Sequence, residues 1–158
     1  MSEQRRIAIA LGSNLGDRLS YLHRAVDSLD QLLGDLVVSK FIETFPVGVR
    51  PQPTFLNGAV VGVSHDAPNT LLKALLAIES QYGRTRPFPG SPRTLDLDLI
   101  LVGSLVVSQP GLELPHPRFR DRLFVLDPLA EIAPDLVDPT TGLSMATLLS
   151  TAKIKKRR

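Results

Sequence analysis

Apolar positions recur along the chain with two periods, and the switches between them mark the elements. Ile7-Ala8-Ile9-Ala10-Leu11 is an unbroken apolar run. It predicts a buried strand over 6–11, ended by a tight turn at Gly12-Ser13-Asn14. Leu15, Leu19, Leu22, Val26, Leu29 and Leu33 then follow at spacings of four and three, one stripe of an amphipathic helix, with Gly34 suited to its C′ position. Residues 36–45, with Val37, Val38, Phe41 and Ile42, predict a second strand, and 55–63 a third. Gly58 and Gly62 either weaken that third strand or permit close approach. Between the two strands lies a proline-rich loop over 46–53, longer than a hairpin requires. Asp66 is the expected N-cap of a helix entered at Pro68, with Leu71, Leu75, Ile78 and Tyr82 as its buried stripe and Gly83 as its stop.

The next strand carries the most informative pattern, Arg93-Thr94-Leu95-Asp96-Leu97-Asp98-Leu99-Ile100-Leu101. Leucines fill the odd positions and Asp96 and Asp98 the even ones. Strand geometry therefore sends the leucines to one face and both carboxylates to the other, with the Asp Cα atoms roughly 6.6 Å apart. Taken alone the pattern favours a solvated acidic face; the alternative is a platform for Mg²⁺, which takes one or two carboxylates together with phosphate oxygens and water. With this strand the order becomes β-α-β-β-α-β. Right-handed connections make that a ferredoxin-like α+β sandwich, both helices on one face of an antiparallel sheet. An added hairpin is expected through Gly103-Ser104 into Leu105-Val106-Val107. Small C-terminal helices are expected over 124–132 and after Ser144.

Composition narrows the class without naming a function. The chain has 158 residues, 43% hydrophobic and 22% charged, and contains no cysteine. That is one globular domain by length, with no disulfide and no thiolate metal site. No apolar run approaches transmembrane length and no signal-peptide core follows Met1, which suggests a cytoplasmic protein. Net charge is +2, yet Lys153, Lys155, Lys156, Arg157 and Arg158 supply five positive charges, leaving residues 1–152 at −3. The expected organisation is a domain over 1–152 and a basic, frayed tail over 153–158.

Charge next to the acidic strand changes the picture. Residues 83–93 lack periodicity and hold three prolines and three arginines, Arg84, Arg86 and Arg93. A carboxylate pair beside an arginine-rich loop is the charge pattern of phosphoryl transfer, in which metal and guanidinium neutralise the transferred group. The chain has no P-loop motif and no protein-kinase motif set, so a nucleotide site must be built differently. His116, between Pro115 and Pro117, reads as either a turn histidine held by backbone or a ligand residue. Glu79 in the last turn of its helix opposes the helix dipole and is either solvated or kept for a ligand. Phe55 and Phe124, taken alone, read as core aromatics.

Several of these segments together carry a resemblance. Ala10-Leu11-Gly12-Ser13-Asn14-Leu15-Gly16-Asp17, Thr44-Phe45-Pro46-Val47-Gly48, Gln52 to Asn57, Ile78-Glu79, Gly83-Arg84, Pro92 to Leu101, Leu114-Pro115-His116-Pro117 and Arg122 to Leu126 occur in the order seen in 6-hydroxymethyl-7,8-dihydropterin pyrophosphokinases of folate biosynthesis. The chain resembles that family almost end to end. The resemblance implies pyrophosphoryl transfer from ATP, as co-substrate, to the pterin hydroxymethyl group, releasing AMP. It implies that Asp96 and Asp98 hold two Mg²⁺ ions and that Arg84 and Arg93 engage the phosphates. Glu79, Arg86, Leu99, His116 and Arg122 match its ATP positions. Thr44, Val47, Phe55, Asn57 and Phe124 match its pterin positions. A monomer working on small molecules is implied.

The family commonly has Trp-Gly-Pro-Arg where this chain has Gly90-Ser91-Pro92-Arg93, and there is no tryptophan anywhere. Leu76 stands where some members have a glutamine that contacts the nucleotide. Two other readings therefore stand beside the first. One is a paralogue of the same fold with weakened or altered activity. The other is a nucleic-acid-binding module using the basic tail, against which count the 5% aromatic content and the acidic balance of residues 1–152.

Overall fold

A computed structural model of the chain describes residues 3–45, 53–83 and 94–156. Its centre is β1 (Arg5–Ser13), paired antiparallel to β4 (Phe55–Ser64) on one side and to β5 (Asp96–Val102) on the other. β2 (Gly34–Val38) and β3 (Ile42–Thr44) pair with successive halves of β4, so the sheet runs β2-β4-β1-β5 with β3 beside β4. The single strand expected over 36–45 is thus two. Ser39 takes up the break: its N–H donates to the Ala59 carbonyl, and its hydroxyl accepts from the Ala59 N–H.

Residues on the two faces of β1 differ in size, and each face gathers its own core. Ile7, Ile9 and Leu11 pack with Leu22, Ala25 and Leu29 of α1 (Arg18–Leu32) and Leu71, Leu75 and Ile78 of α2 (Pro68–Gln81). Ala8 and Ala10 pack on the opposite face with Val125, Leu126 and Leu129 of α3 (Leu123–Ile132) and Met145, Leu148 and Ala152 of α4 (Met145–Lys156). The sheet is therefore covered by helices on both faces. The C-terminal helices expected to be small additions form this second layer. α4 runs through Lys156, past the boundary that charge suggested, and its last turn carries Lys153, Lys155 and Lys156, where cations complement the helix dipole.

Local details depart from the sequence reading where tertiary contacts outweigh short-range signals. Gly12 and Ser13 continue β1 by pairing with Asn57 and Leu56; the turn follows, with Gly16 at φ +75°. α1 starts only at Arg18, where the Asp17 carboxylate accepts from the Ser20 N–H at 3.1 Å, so Leu15 and Leu19 stay exposed. Gly34 opens β2 rather than closing α1. α2 has Ala67, not Asp66, at its N-cap and no capping side chain; the Asp66 N–H donates to the Ser64 hydroxyl. The turn at Gly103-Ser104 does not pair its following segment with β5. Instead β6 (Val107–Gln109) pairs with β7 (Leu112–Leu114) as a separate two-stranded sheet. Pro110-Gly111 makes that hairpin, with Gly111 at φ +81°. A 3₁₀ turn at Phe119–Asp121 precedes α3. Among the described residues no helix is long and apolar enough to cross a membrane.

Close approach, rather than weakness, explains the β4 glycines. A Cβ at Gly62 would stand 2.8 Å from the Leu33 Cβ and 2.9 Å from the Gly34 carbonyl oxygen. One at Gly58 would meet the Phe41 ring at 2.5 Å. Gly62→Val is expected to cost about 1–3 kcal/mol through overpacking against backbone, read as a lower urea midpoint with an unchanged m-value.

Candidate functional site

The acidic strand behaves as expected at its start and differently at its end. Asp96 and Asp98 are half-buried and lie opposite Gly12 and Ala10 of β1, while Leu95, Leu97 and Leu99 sit in the core under α1 and α2. Leu101 does not join them. Ala8 pairs with Leu101 but Ile9 with Leu99, so Ile100 is an extra residue, a β-bulge. Beyond it the faces exchange: Ile100 and Leu101 pack under α3 and α4, and Val102 under α1 and α2. The bulge also supplies a contact, because the Ile100 carbonyl accepts from the His116 N–H at 2.9 Å. His116 is thereby fastened to the outer edge of the aspartate strand.

The carboxylates share their sheet face with the residues matched to the pterin. Asn57 pairs with Gly12, which pairs with Asp96; Phe55 pairs with Thr44. Strand alternation therefore puts Thr44, Phe55, Asn57, Gly12, Asp96 and Asp98 on one side of the sheet. The Asn57 amide donates to the Thr44 hydroxyl. A Cβ at Gly12 would come within 2.9 Å of Asn57 Oδ1 and 3.6 Å of Phe55 Cδ1, so the missing side chain lets the Asn57 amide lie close over the strand. Phe124, in the first turn of α3, belongs to the helical layer on this side and is 38% exposed, while Phe55 is half-buried. Neither is a fully buried core aromatic. The Arg122 guanidinium lies 5.7 Å from the centre of the Phe124 ring, within cation–π range.

On the other side of the aspartates is an open cleft of about 320 Å³, lined by Leu72, Asp98, Leu99, Glu113, His116 and Pro117 among others. Leu99 is 6% exposed with its side chain in the core. The His116 Nδ1 accepts from the Arg118 N–H at 3.1 Å, so the neutral ring carries its proton on Nε2. Burial, followed by the positive charges of Arg122 and Arg118, pushes the imidazole pKa below its ordinary value; Asp96 pulls the other way. One ring nitrogen is satisfied by backbone, as the turn reading expected, and the ring lines the cleft.

Glu79 is not solvated. It is 2% exposed, and its carboxylate accepts from the Leu97 N–H at 2.7 Å, behind the aspartate strand. It meets β5 between the two aspartates. Arg84, Arg86, Arg93 and Val47 lie outside the described residues. Among the described residues no three His, Cys, Asp or Glu side chains converge as a metal cage. An acid pair of this kind suits a hard cation that brings phosphate and water as its remaining ligands.

Comparison with known proteins decides the family. A family model described as 7,8-dihydro-6-hydroxymethylpterin-pyrophosphokinase (HPPK) matches residues 8–134. The chain belongs to the HPPK family. It is 45% identical to the 2-amino-4-hydroxy-6-hydroxymethyldihydropteridine pyrophosphokinase of Bacillus subtilis, over 85% of this chain and 81% of that one. It is 43% identical to the Synechocystis protein of the same name, over 89% and 73%. The bifunctional folate synthesis protein of Arabidopsis thaliana is 38% identical over 89% of this chain, which spans only 26% of that protein. The HPPK-DHPS of Plasmodium falciparum solved with pteroate has a similar fold, with a TM-score of 0.75 at 12% identity over 99% of this chain and 44% of that one.

Within this HPPK, sequence reasoning passed over Gly12 and the Ile100 bulge. Gly12 was legible only as turn punctuation, because its role depends on which residue β4 places opposite it. The bulge leaves no local mark, since an Ile-Leu pair suits either register. Two outcomes follow from the electrostatics. The His116 pKa, followed by NMR titration of the ring protons, is expected below that of an exposed histidine and lower still in Asp96→Asn, which removes a charge favouring the imidazolium. Glu79→Ala leaves the buried Leu97 N–H without its acceptor and is expected to cost about 1–3 kcal/mol in urea unfolding.

Proposed function

We propose that this HPPK transfers the terminal pyrophosphoryl group of ATP to the hydroxymethyl oxygen of 6-hydroxymethyl-7,8-dihydropterin. A bond forms from that oxygen to the β-phosphorus as the bond from the β-phosphorus to the α-phosphate oxygen breaks. AMP leaves, and the hydroxyl gives up its proton. The observation that supports this most is the placement of Asp96 and Asp98 between two surfaces of different chemistry. On one side are Thr44, Phe55, Asn57 and Phe124, a hydrogen-bonding amide with aromatic faces, suited to a flat heterocycle with polar edges. On the other is the cleft beside Asp98, Leu99 and His116, suited to a nucleotide.

In this reading Asp96 and Asp98 hold two Mg²⁺ ions, which when bound neutralise the triphosphate and polarise its β-phosphorus. The chain's own residues place the two substrates. Asn57, aligned by Thr44, reads the pterin edge together with Val47, and Phe55 and Phe124 cover its faces. Gly12 admits the ring to the sheet. Leu99 offers backbone to the adenine. His116, fixed as the Nε2–H tautomer, offers one donor, and Arg122 beside it a charge. Glu79 acts through Leu97, holding β5 straight between the aspartates. Arg84, Arg86 and Arg93, at positions matching the family, supply further phosphate contacts. The sheet order and the placing of α1 and α2 support a ferredoxin-like core for this site. A monomer acting on free small molecules in the cytoplasm completes the reading.

Protein incubated with Mg²⁺, ATP and the reduced pterin is expected to release AMP in step with pterin diphosphate; appearance of ADP instead would sink the reaction class. Asp96→Ala and Asp98→Ala are each expected to lower kcat by about 10³-fold or more with an unchanged circular dichroism spectrum. Turnover near the parent rate in both would remove the acid pair from the mechanism.

A further inference from the structure

The sheet face opposite the pterin-matched residues carries a polar cluster at the same point. Arg18, the first residue of α1, donates from one terminal nitrogen to the Thr54 carbonyl at 3.0 Å and to the Thr54 hydroxyl at 2.8 Å. Its other terminal nitrogen donates to the Glu43 carboxylate at 3.0 Å, and the Thr54 hydroxyl donates to the same oxygen at 2.9 Å. The Thr54 hydroxyl and then Arg18 hold the Glu43 carboxyl below the ordinary carboxylate range, so it stays ionised. Four residues upstream, the buried Asn14 amide donates to the Pro53 carbonyl at 3.2 Å.

Glu43 and Thr54 are the chain neighbours of Thr44 and Phe55, which pair with one another across β3 and β4. Alternation sends Glu43 to the opposite face from Thr44. One guanidinium thus holds the last turn of chain before the 46–52 segment and the first residues after it, directly behind the pterin-matched face. Its planar fork fixes direction as well as distance. The Glu43 side chain is 54% exposed, so the pair itself adds little to global stability. Its consequence is geometric.

We propose that Arg18, with Glu43 and Thr54, is a positioning device that sets the spacing of Thr44, Phe55 and Asn57 and thereby the affinity for the pterin, while leaving the nucleotide side alone. This rests on the pterin reading of that face. The cluster touches neither substrate; it acts through the two strands it joins.

The test compares Arg18→Met, Arg18→Lys, Glu43→Gln and Asn57→Ala, using steady-state kinetics, equilibrium binding by pterin fluorescence, and thermal melting. Arg18→Met is expected to raise both KM and Kd for the pterin roughly tenfold, with KM for ATP and kcat within about twofold and little change in melting temperature. Arg18→Lys should recover part of the loss. Glu43→Gln should weaken the pterin to a smaller degree, and the double variant Arg18→Met/Glu43→Gln should be no worse than Arg18→Met alone, since both remove one device. Unchanged pterin affinity in Arg18→Met overturns the proposal, as does an equal loss for ATP or a marked fall in melting temperature. Asn57→Ala separates the two layers of the argument. If it weakens the pterin and Arg18→Met does not, only the positioning role fails; if neither does, the pterin reading of the face fails with it.

Discussion

The taper of β1 is the constraint on which the site depends. One face of this strand carries Ile7, Ile9 and Leu11, all at or near zero exposure. The other carries Ala8, Ala10 and Gly12. Because β1 is paired along both edges, its side chains cannot slip sideways to make room, and their size alone decides what can lie on the sheet. Ala8 and Ala10 let α3 approach closely and form a second core. Gly12, at the end of the taper, leaves room for the Asn57 amide and the Phe55 ring edge to lie close over the strand. Core and site are thus consecutive stretches of one strand face.

β5 makes the same transition in the other direction. Its first residues expose carboxylates opposite the small end of β1, and its last residues are apolar on both faces. The bulge at Ile100 is what reconciles them. By adding one residue it turns Leu101 to the α3 and α4 layer and aims the Ile100 carbonyl at the His116 backbone. A regular strand would have placed Leu101 with the other leucines under α1 and α2, whereas Ile100 lies on the aspartate face in either register. A single local irregularity therefore closes the second core and fixes the histidine that borders the cleft.

Charge is arranged around this frame according to burial. Glu79 is a buried carboxylate kept behind the strand by the Leu97 N–H, where an unpaired one would be costly. Burial of Asp138, at zero exposure, pushes its pKa up, but the fork of Arg120, at 2.6 and 2.9 Å, with Thr141 and the Thr140 N–H, together outweigh this and hold it below its ordinary value. These two carboxylates are internally satisfied. Asp96 and Asp98 sit half-buried at the sheet surface, beside a histidine whose charge is suppressed by burial and by neighbouring arginines.

Much of this was determined by the sequence itself. Period-two and period-3.6 patterns located α1, α2, β1, β4 and β5, and the alternation of leucine with Asp96 and Asp98 separated core from acid face, because these patterns are local consequences of backbone geometry. The spread of matching segments from Gly12 to Leu126 identified the family. What only the tertiary structure decided were matters of register and partnership. Which helices cover which face follows from the unequal sizes on β1, and α4 became a full helix because Met145, Leu148 and Ala152 found that face. The partner of Glu79, the meaning of Gly12, the split of β2 from β3 and the flip at Ile100 each require knowing which residue lies opposite. Pairing across a sheet joins positions 45 and 84 residues apart, as with Gly12 and its neighbours Asn57 and Asp96, and nothing in a local pattern records it.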